Sequence, residues 1–527
     1  MANRYWVTGG TGNWNDTSNW STSSGGASGA SVPGSSDAAL LDANSGAGTV
    51  TLDISPDIQT LTCTGFTGTL DFGTNTISLN STGTIFAGAT AMTVTGTPQI
   101  ICTNSSATSR TINATAVTEG NSISFRVTAG TGTLTFGAGA IRDIDFTDGT
   151  NPTGFGGSLS TFVVTIYGSL KASTGMTVVS SANTMTFAAT SGTKTINTAG
   201  VVFDRPFTFN GVGGTFQLTA ALTSGATRSC ALTNGTLDLA GYTLTTGLFN
   251  SNNSNVRTIA FGSTGKIVLT GTGATIWTNA AGTGFTYTGT SRIEAPGPAT
   301  TGTRIFNPST FSSSTEATAL SFYITGGSDT VAFLSTNRRV DNMDFTGFSG
   351  TFANSRQTVH GNYTISTGMT VGAGTDATTF ASTSGTKTIT TNGKTLDFPV
   401  TFDGVGGTWS FADALTQGAG KAFTITNGAV QLRAGATSTV GAFATSGATQ
   451  KYLQSTTPGS QATLSQASGT VSSSYLSIRD INATGGAVWQ AYTTNQNVDA
   501  GNNDGWDFSP QLGKYIYTRR KNKRILP

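Results

Sequence analysis

The chain has 527 residues with 70 Gly, only 10% charged residues and a formal net charge of +2. A balance so close to neutral excludes bulk electrostatic attraction as the basis for binding nucleic acid or a membrane surface. So much Gly with so little charge can signal disorder, but 30 Phe, with Val, Ile and Leu at alternating spacing, predict short strands instead.

Residues 1–50 read as an N-terminal cap. Arg4-Tyr5-Trp6-Val7 begins a strand, Gly9-Gly10-Thr11-Gly12 turns, and Trp14 and Trp20 follow. The end of a stacked β structure exposes apolar core and unpaired edges, so Trp6, Trp14 and Trp20 are expected to form a lid. A sugar-stacking platform is the competing reading of the same three rings.

From Gly48 onward the chain becomes short alternating runs broken by Gly or Asn, such as Thr49–Ile54, Gly68–Phe72 and Thr76–Leu79. Each presents Leu or Phe on one side and Thr or Asp on the other. Strands this short are not stable alone; stacked as rungs of roughly 20–25 residues they bury their apolar sides on one another. Ser173–Gly235 then recurs as Ser366–Gly428, at a constant offset of 193 (366 − 173), with 35 of 63 positions identical. The expected fold is all-β, an internally duplicated β-solenoid (β-helix). A recurring phrase, at Ile141–Thr147, Arg339–Thr346 and Ile478–Asn482, divides it into modules at 51–145, 146–346 and 347–508. A basic C-terminal tail, 509–527, follows.

Gly211-Val212-Gly213-Gly214 and its copy Gly404-Val405-Gly406-Gly407 superficially resemble phosphate loops. They lie between strand-like segments without the helix N-terminus and Lys that such loops need. A tight reversal is the expected role of Gly211, Gly213, Gly214, Gly404, Gly406 and Gly407, as a hairpin or a solenoid corner.

β-Helical spikes can be glycosidases that use paired carboxylates, and Asp143 with Asp145 and Asp341 with Asp344 are the candidates. They belong to the recurring phrase, and its third copy has Asn482 where Asp145 stands, so a structural role is expected and no catalytic residue is assigned. His360 is the only histidine, which excludes a His-based triad or a multi-His metal site; a solvent-facing rung position is expected for it. Asp499–Gly505 has some likeness to a calcium loop but lacks the D-x-D-x-D-G order and closing Glu, so a capped turn is expected, with no metal and no cofactor. Cys63, Cys102 and Cys230 have no metal-like spacing and read as small buried hydrophobes.

Near the C-terminus Trp506, in NNDGWDF, reads as a closing aromatic clamp. Arg519, Arg520, Lys521, Lys523 and Arg524 form a short basic tail, either solvated or docked on the acidic surface of an assembly partner or of packaged DNA. No apolar run approaches the ~20 residues that span a bilayer, so no membrane insertion is expected. The opening MANRYWVTGG has no apolar core of the kind a secretory signal requires.

The opening RYWVTGGTGNWNDTSNW…SVPGSSDAALLDANSG, the GTLDL and TFNGVGGT rungs, the NNDGW-x-F close and the basic end resemble virion appendage proteins of tailed bacteriophages. These are β-helical fibres, spikes or head-decorating fibres. The W…W…P…D opening is also similar to the first rung of autotransporter-type and filamentous-haemagglutinin-type adhesins. The resemblance implies a non-enzymatic structural protein of the virion surface, assembled with other virion proteins as a homo-oligomer, a trimer being favoured. It implies attachment to a host surface glycan or protein and no specific nucleic-acid binding. A head-decorating fibre, a secreted bacterial adhesin and a polysaccharide-degrading tailspike are the alternatives it leaves open.

Overall fold

A computed structural model describes residues 1–509 except 116–117, 150–151, 162, 273–274, 281–282, 298–301, 309–315, 335–337 and 354–355. All of the basic tail beyond Ser509 therefore lies outside the described residues. The chain is nearly all β, 2% helical, and its parallel strands stack into a β-solenoid of about 19 turns. It divides into two compact units. One holds Met1–Leu334 with Gly347–Gly350, the other Ser335–Thr346 with Thr351–Pro527.

In the first unit, Ala2–Trp6, Asp37–Leu40, Thr60–Thr62, Gly83–Ala87, Arg110–Asn113, Thr133–Phe136, Ser158–Thr161 and Thr177–Val178 run parallel in one ladder. Consecutive members are about one coil apart in sequence, so every coil contributes one strand to this face. A second face stacks Gly12–Asn13, Thr49–Thr51, Thr69–Asp71 and Thr93–Thr95 in the same way. The alternation explains why: Val50, Leu70 and Val94 point inward and are buried, while the flanking Thr and Asp side chains stand outward.

The second unit repeats the scheme. Its main ladder runs through Gln357–Val359, Thr378–Phe380, Val400–Phe411, Ala422–Leu432, Lys451–Ser455, Leu476–Arg479 and Val498–Asp499, all parallel. Another face stacks Thr395–Leu396, Thr416–Gln417, Thr437–Thr439, Ala462–Gln466 and Ile481–Gly485.

Aromatic rings from successive coils stack along the interior. Phe187 and Phe209 lie 5.4 Å apart with nearly parallel rings in the first unit. Phe380 and Phe402 lie 5.2 Å apart in the second, with Phe423 5.2 Å beyond Phe402. Such pairs add about 0.5–1.5 kcal/mol each to the burial of the rings. The three cysteines are free and buried, and burial pushes the thiols of Cys63 and Cys102 up to about 12.

Several arginines are also interior, which composition alone does not foretell. Arg110 donates to the carbonyls of Asn104 and Ala129. Arg257 donates to those of Ser251, Asn255 and Thr283. Arg304 makes a paired contact with Asp329, Nε to Oδ2 at 2.7 Å and Nη2 to Oδ1 at 2.8 Å, and lies over the Phe348 ring. The carbonyls come largely from loops where the chain turns between faces, so these side chains tie corners to the core.

Candidate functional site

The duplicated glycine segments are corners inside continuous strands. Phe207–Leu218 is one strand of 12 residues. Its first part, Phe207–Asn210, pairs with Cys230–Asn234, and Thr215–Gln217 pairs with Thr236–Asp238, both parallel, with the register shifting between them. Val400–Phe411 repeats this against Phe423–Gln431. No hairpin forms. A hairpin needs an antiparallel neighbour, whereas each half here finds its partner on the next coil.

Close approach requires glycine at these corners. A Cβ on Gly211 or Gly214 would stand 1.9 or 2.0 Å from the Ala189 carbonyl oxygen; on Gly404 or Gly407 the same distances separate it from that of Ser382. Gly213 and Gly406 carry the positive φ, +84° and +90°. The turns are pinned from the next coil, by Asn234 Nδ2 to Asn210 Oδ1 at 2.6 Å and Asn427 Nδ2 to Asp403 Oδ1 at 2.7 Å. Val212 and Val405 are left exposed at the tips.

The N-terminal aromatics form a closed cluster. Trp6 and Trp20 are register partners on antiparallel strands, with rings 5.3 Å apart, and Trp14 packs 4.8 Å from Trp20. All three are at most 1% exposed, so no ring face is open to a sugar and the platform reading fails. The antiparallel Trp20–Ser21 strand covers an edge that the parallel coils would leave open. Trp506 is elsewhere, paired with Trp489 at 4.9 Å and near Phe443 in the last described coils of the second unit.

The carboxylates of the recurring phrase hold backbone. Asp143 accepts from Ser124 Oγ and from the Ser169 amide. Asp145 and Asp344 each accept from the amide and hydroxyl of the Thr two residues on. Asp341 accepts from Asn342 Nδ2. Asp480, at φ +58° and buried, accepts from the Gly459 amide and Asn502 Nδ2. In the calcium-like stretch, Asp499 Oδ1 accepts from the Gly501 amide and Asn503 Nδ2, as in a capped turn. Among the described residues no group of three or more His, Cys, Asp or Glu is placed to hold a metal ion.

His360 departs from its expected solvent-facing position. It is buried, with Nδ1 3.1 Å from the Ala381 carbonyl oxygen. It follows the last residue of the Gln357–Val359 strand, where the alternation ends and the chain turns at Gly361, so strand periodicity no longer assigns its side.

Ion pairs pin other corners. Arg228 first, then Ser180, holds the Asp204 carboxyl below its ordinary range, with Arg228 Nε 2.8 Å from Oδ1. The second copy keeps the pair as Lys421 and Asp397, 3.7 Å apart. Burial works against the Glu294 carboxylate, but hydrogen bonds from Lys266 at 2.9 Å and Arg292 at 2.6 Å prevail and hold it below the usual value.

The two units differ most informatively on an outward face just beyond the duplicated stretch, which sequence reasoning passed over. In the first unit one outward column reads Thr193, Thr215, Thr236, Thr258, Thr286, with Thr258 and Thr286 hydroxyls 2.7 Å apart. The corresponding column of the second unit reads Thr386, Thr408, Ala429, Tyr452, Ser477. Two residues along, Thr195, Gln217, Asp238 and Ala260 are answered by Thr388, Ser410, Gln431 and Gln454, and Arg479 follows on the next coil. The signal was the Tyr452-Leu453-Gln454 alternation around a buried Leu453.

No protein-family model, no curated protein and no solved structure matches the chain. Among the described residues no helix is long and apolar enough to cross a membrane.

Proposed function

We propose that the chain is a non-enzymatic structural protein of a tailed-phage particle, a β-helical fibre or tail-associated appendage that attaches the particle to its host surface. The observation that supports it best is the division of labour within each coil. Inward residues are held by stacking on neighbouring coils, whereas the outward column that continues as Thr236, Thr258 and Thr286 in the first unit becomes Ala429, Tyr452 and Ser477 in the second, a change of surface on a kept scaffold of the kind that recognition requires. The paired carboxylates spend their oxygens on turn amides and neighbouring side chains, which supports a binding rather than a hydrolytic role. The resemblance of both ends of the chain to virion appendages supplies the particle context. Self-association, with a trimer favoured, and contact with other virion proteins belong to the same reading.

Gold-labelled antibodies against the chain, applied to purified particles, test it. Label on the tail is expected. Label on the head surface would assign a capsid-decorating fibre, and particles without label would refute the reading. Release of reducing ends from host capsule, abolished by Asp143→Asn, would instead establish a depolymerase.

A further inference from the structure

We infer that the outward face around Tyr452 is a saccharide-binding site, taking a pyranose ring of a surface oligosaccharide; this deepens the host-attachment reading and rests on it. Tyr452 and Tyr242 are the only well-exposed aromatic side chains among the described residues. Tyr242 follows a turn, whereas Tyr452 stands mid-ladder on a strand, 47% exposed.

Its column neighbours are small. Ala429 lies on one side and Ser477 on the other, about 4.8 Å away along the stack, so neither covers the ring. In the first unit the same column holds Thr236 and Thr258, and the Thr258 hydroxyl engages that of Thr286. Thr236 is thus replaced by the smaller Ala429 beside the place where Thr258 is replaced by Tyr452. Together these changes clear an apolar, flat surface.

The adjoining column supplies polar groups. Gln431, Gln454 and Arg479 are ladder partners two residues from Ala429, Tyr452 and Ser477, hence on the same face and about 7 Å away. Arg479 Nη2 donates to Gln454 Oε1 at 3.1 Å, which leaves the Gln454 amide nitrogen as a donor. Arg479 is itself oriented by Asp480, with Nε 3.6 Å from Oδ2, and its side chain remains 43% exposed. Asp480 is buried and held by Gly459 and Asn502, so this arrangement is in place before any ligand arrives.

A pyranose presents an apolar C–H face and a rim of hydroxyls. The face matches an exposed phenol ring, and the rim matches amide and guanidinium groups set to one side of it. An isolated apolar patch would lack the donors, and a charged groove would lack the ring.

The full chain is tested on an array of bacterial surface oligosaccharides, neutral and uronic-acid-bearing. Binding to at least one is expected, weakened about tenfold or more by Tyr452→Ala and little by Tyr452→Phe. Thr258→Ala, in the equivalent column of the first unit, is expected to bind as the unaltered chain does. No glycan bound, or binding indifferent to Tyr452→Ala, overturns the site. Glycan binding by a chain that gold labelling fails to find on particles would leave the site standing and remove the virion reading; label on particles with no glycan bound does the reverse.

Discussion

Replacing Phe402 with Ala tests how the coils are held together. Phe402 is fully buried and touches rings on both neighbouring coils, Phe380 on one side and Phe423 on the other, each with centroids 5.2 Å away. Trp409 and Phe411 of its own strand lie 6.5 and 6.2 Å off. A buried Phe removes about 150–250 Å² from water, about 4–6 kcal/mol at 25 cal/mol per Å² as an upper bound. Core Phe→Ala substitutions cost about 3–5 kcal/mol, and about 4 kcal/mol is expected here, because the stacked coils are held too firmly to collapse into the space. Urea unfolding followed by tryptophan fluorescence and circular dichroism measures it. A double-mutant cycle with Phe380→Ala should give a coupling of about 1 kcal/mol. The same cycle with Trp489→Ala, several coils away, should be additive within about 0.5 kcal/mol. A cost below about 1 kcal/mol, or equal coupling to Phe380 and Trp489, would refute nearest-neighbour stacking.

Gly428→Ala should destabilise the second unit by about 1–3 kcal/mol, since φ is +77° and the new Cβ would lie 2.3 Å from the Gly404 carbonyl oxygen; Gly235→Ala should do the same to the first. Equal melting temperatures for variant and parent would contradict that. Asp329→Ala leaves the buried Arg304 guanidinium without its carboxylate and should cost about 3–5 kcal/mol, whereas replacing the pair together by Arg304→Met and Asp329→Leu should cost far less by chemical denaturation. The three thiols should resist a disulfide reagent in the native protein at pH 8 and react stoichiometrically in denaturant, because burial removes access and pushes thiolate formation far above that pH. Rapid native labelling would place at least one of them outside the core.

The repeat was legible because it is written twice, and the alternation of Thr with Leu, Val or Phe assigned inward and outward sides correctly along most strands. The corners were not. Gly-Val-Gly-Gly specifies a local bend and nothing about its partner, so hairpin and solenoid corner read alike until Asn210 is seen beside Asn234 on the next coil. His360 shows the limit of periodicity, which assigns sides only while the strand continues. The buried arginines escaped notice for a related reason. Arg257 is satisfied partly by the carbonyl of Thr283, on a later loop, and such a partnership leaves no mark near the arginine in the sequence. The Tyr452 face was visible only as divergence between the two units beyond Gly428, where the duplicated stretch ends. What the divergence means depends on which residues share a column, and that is known once the register is known.

The central claim is that each unit is a pile of equivalent coils, each stabilised by its neighbours. Deleting residues 400–422 removes one coil, from Val400 up to its ladder partner Phe423, and rejoins the chain so that Thr378 meets Phe423 and Thr395 meets Thr439. The shortened protein should fold, with an unchanged β-type circular dichroism spectrum and cooperative unfolding. An aggregated or unfolded product, or loss of protection from hydrogen exchange throughout the second unit, would contradict the account.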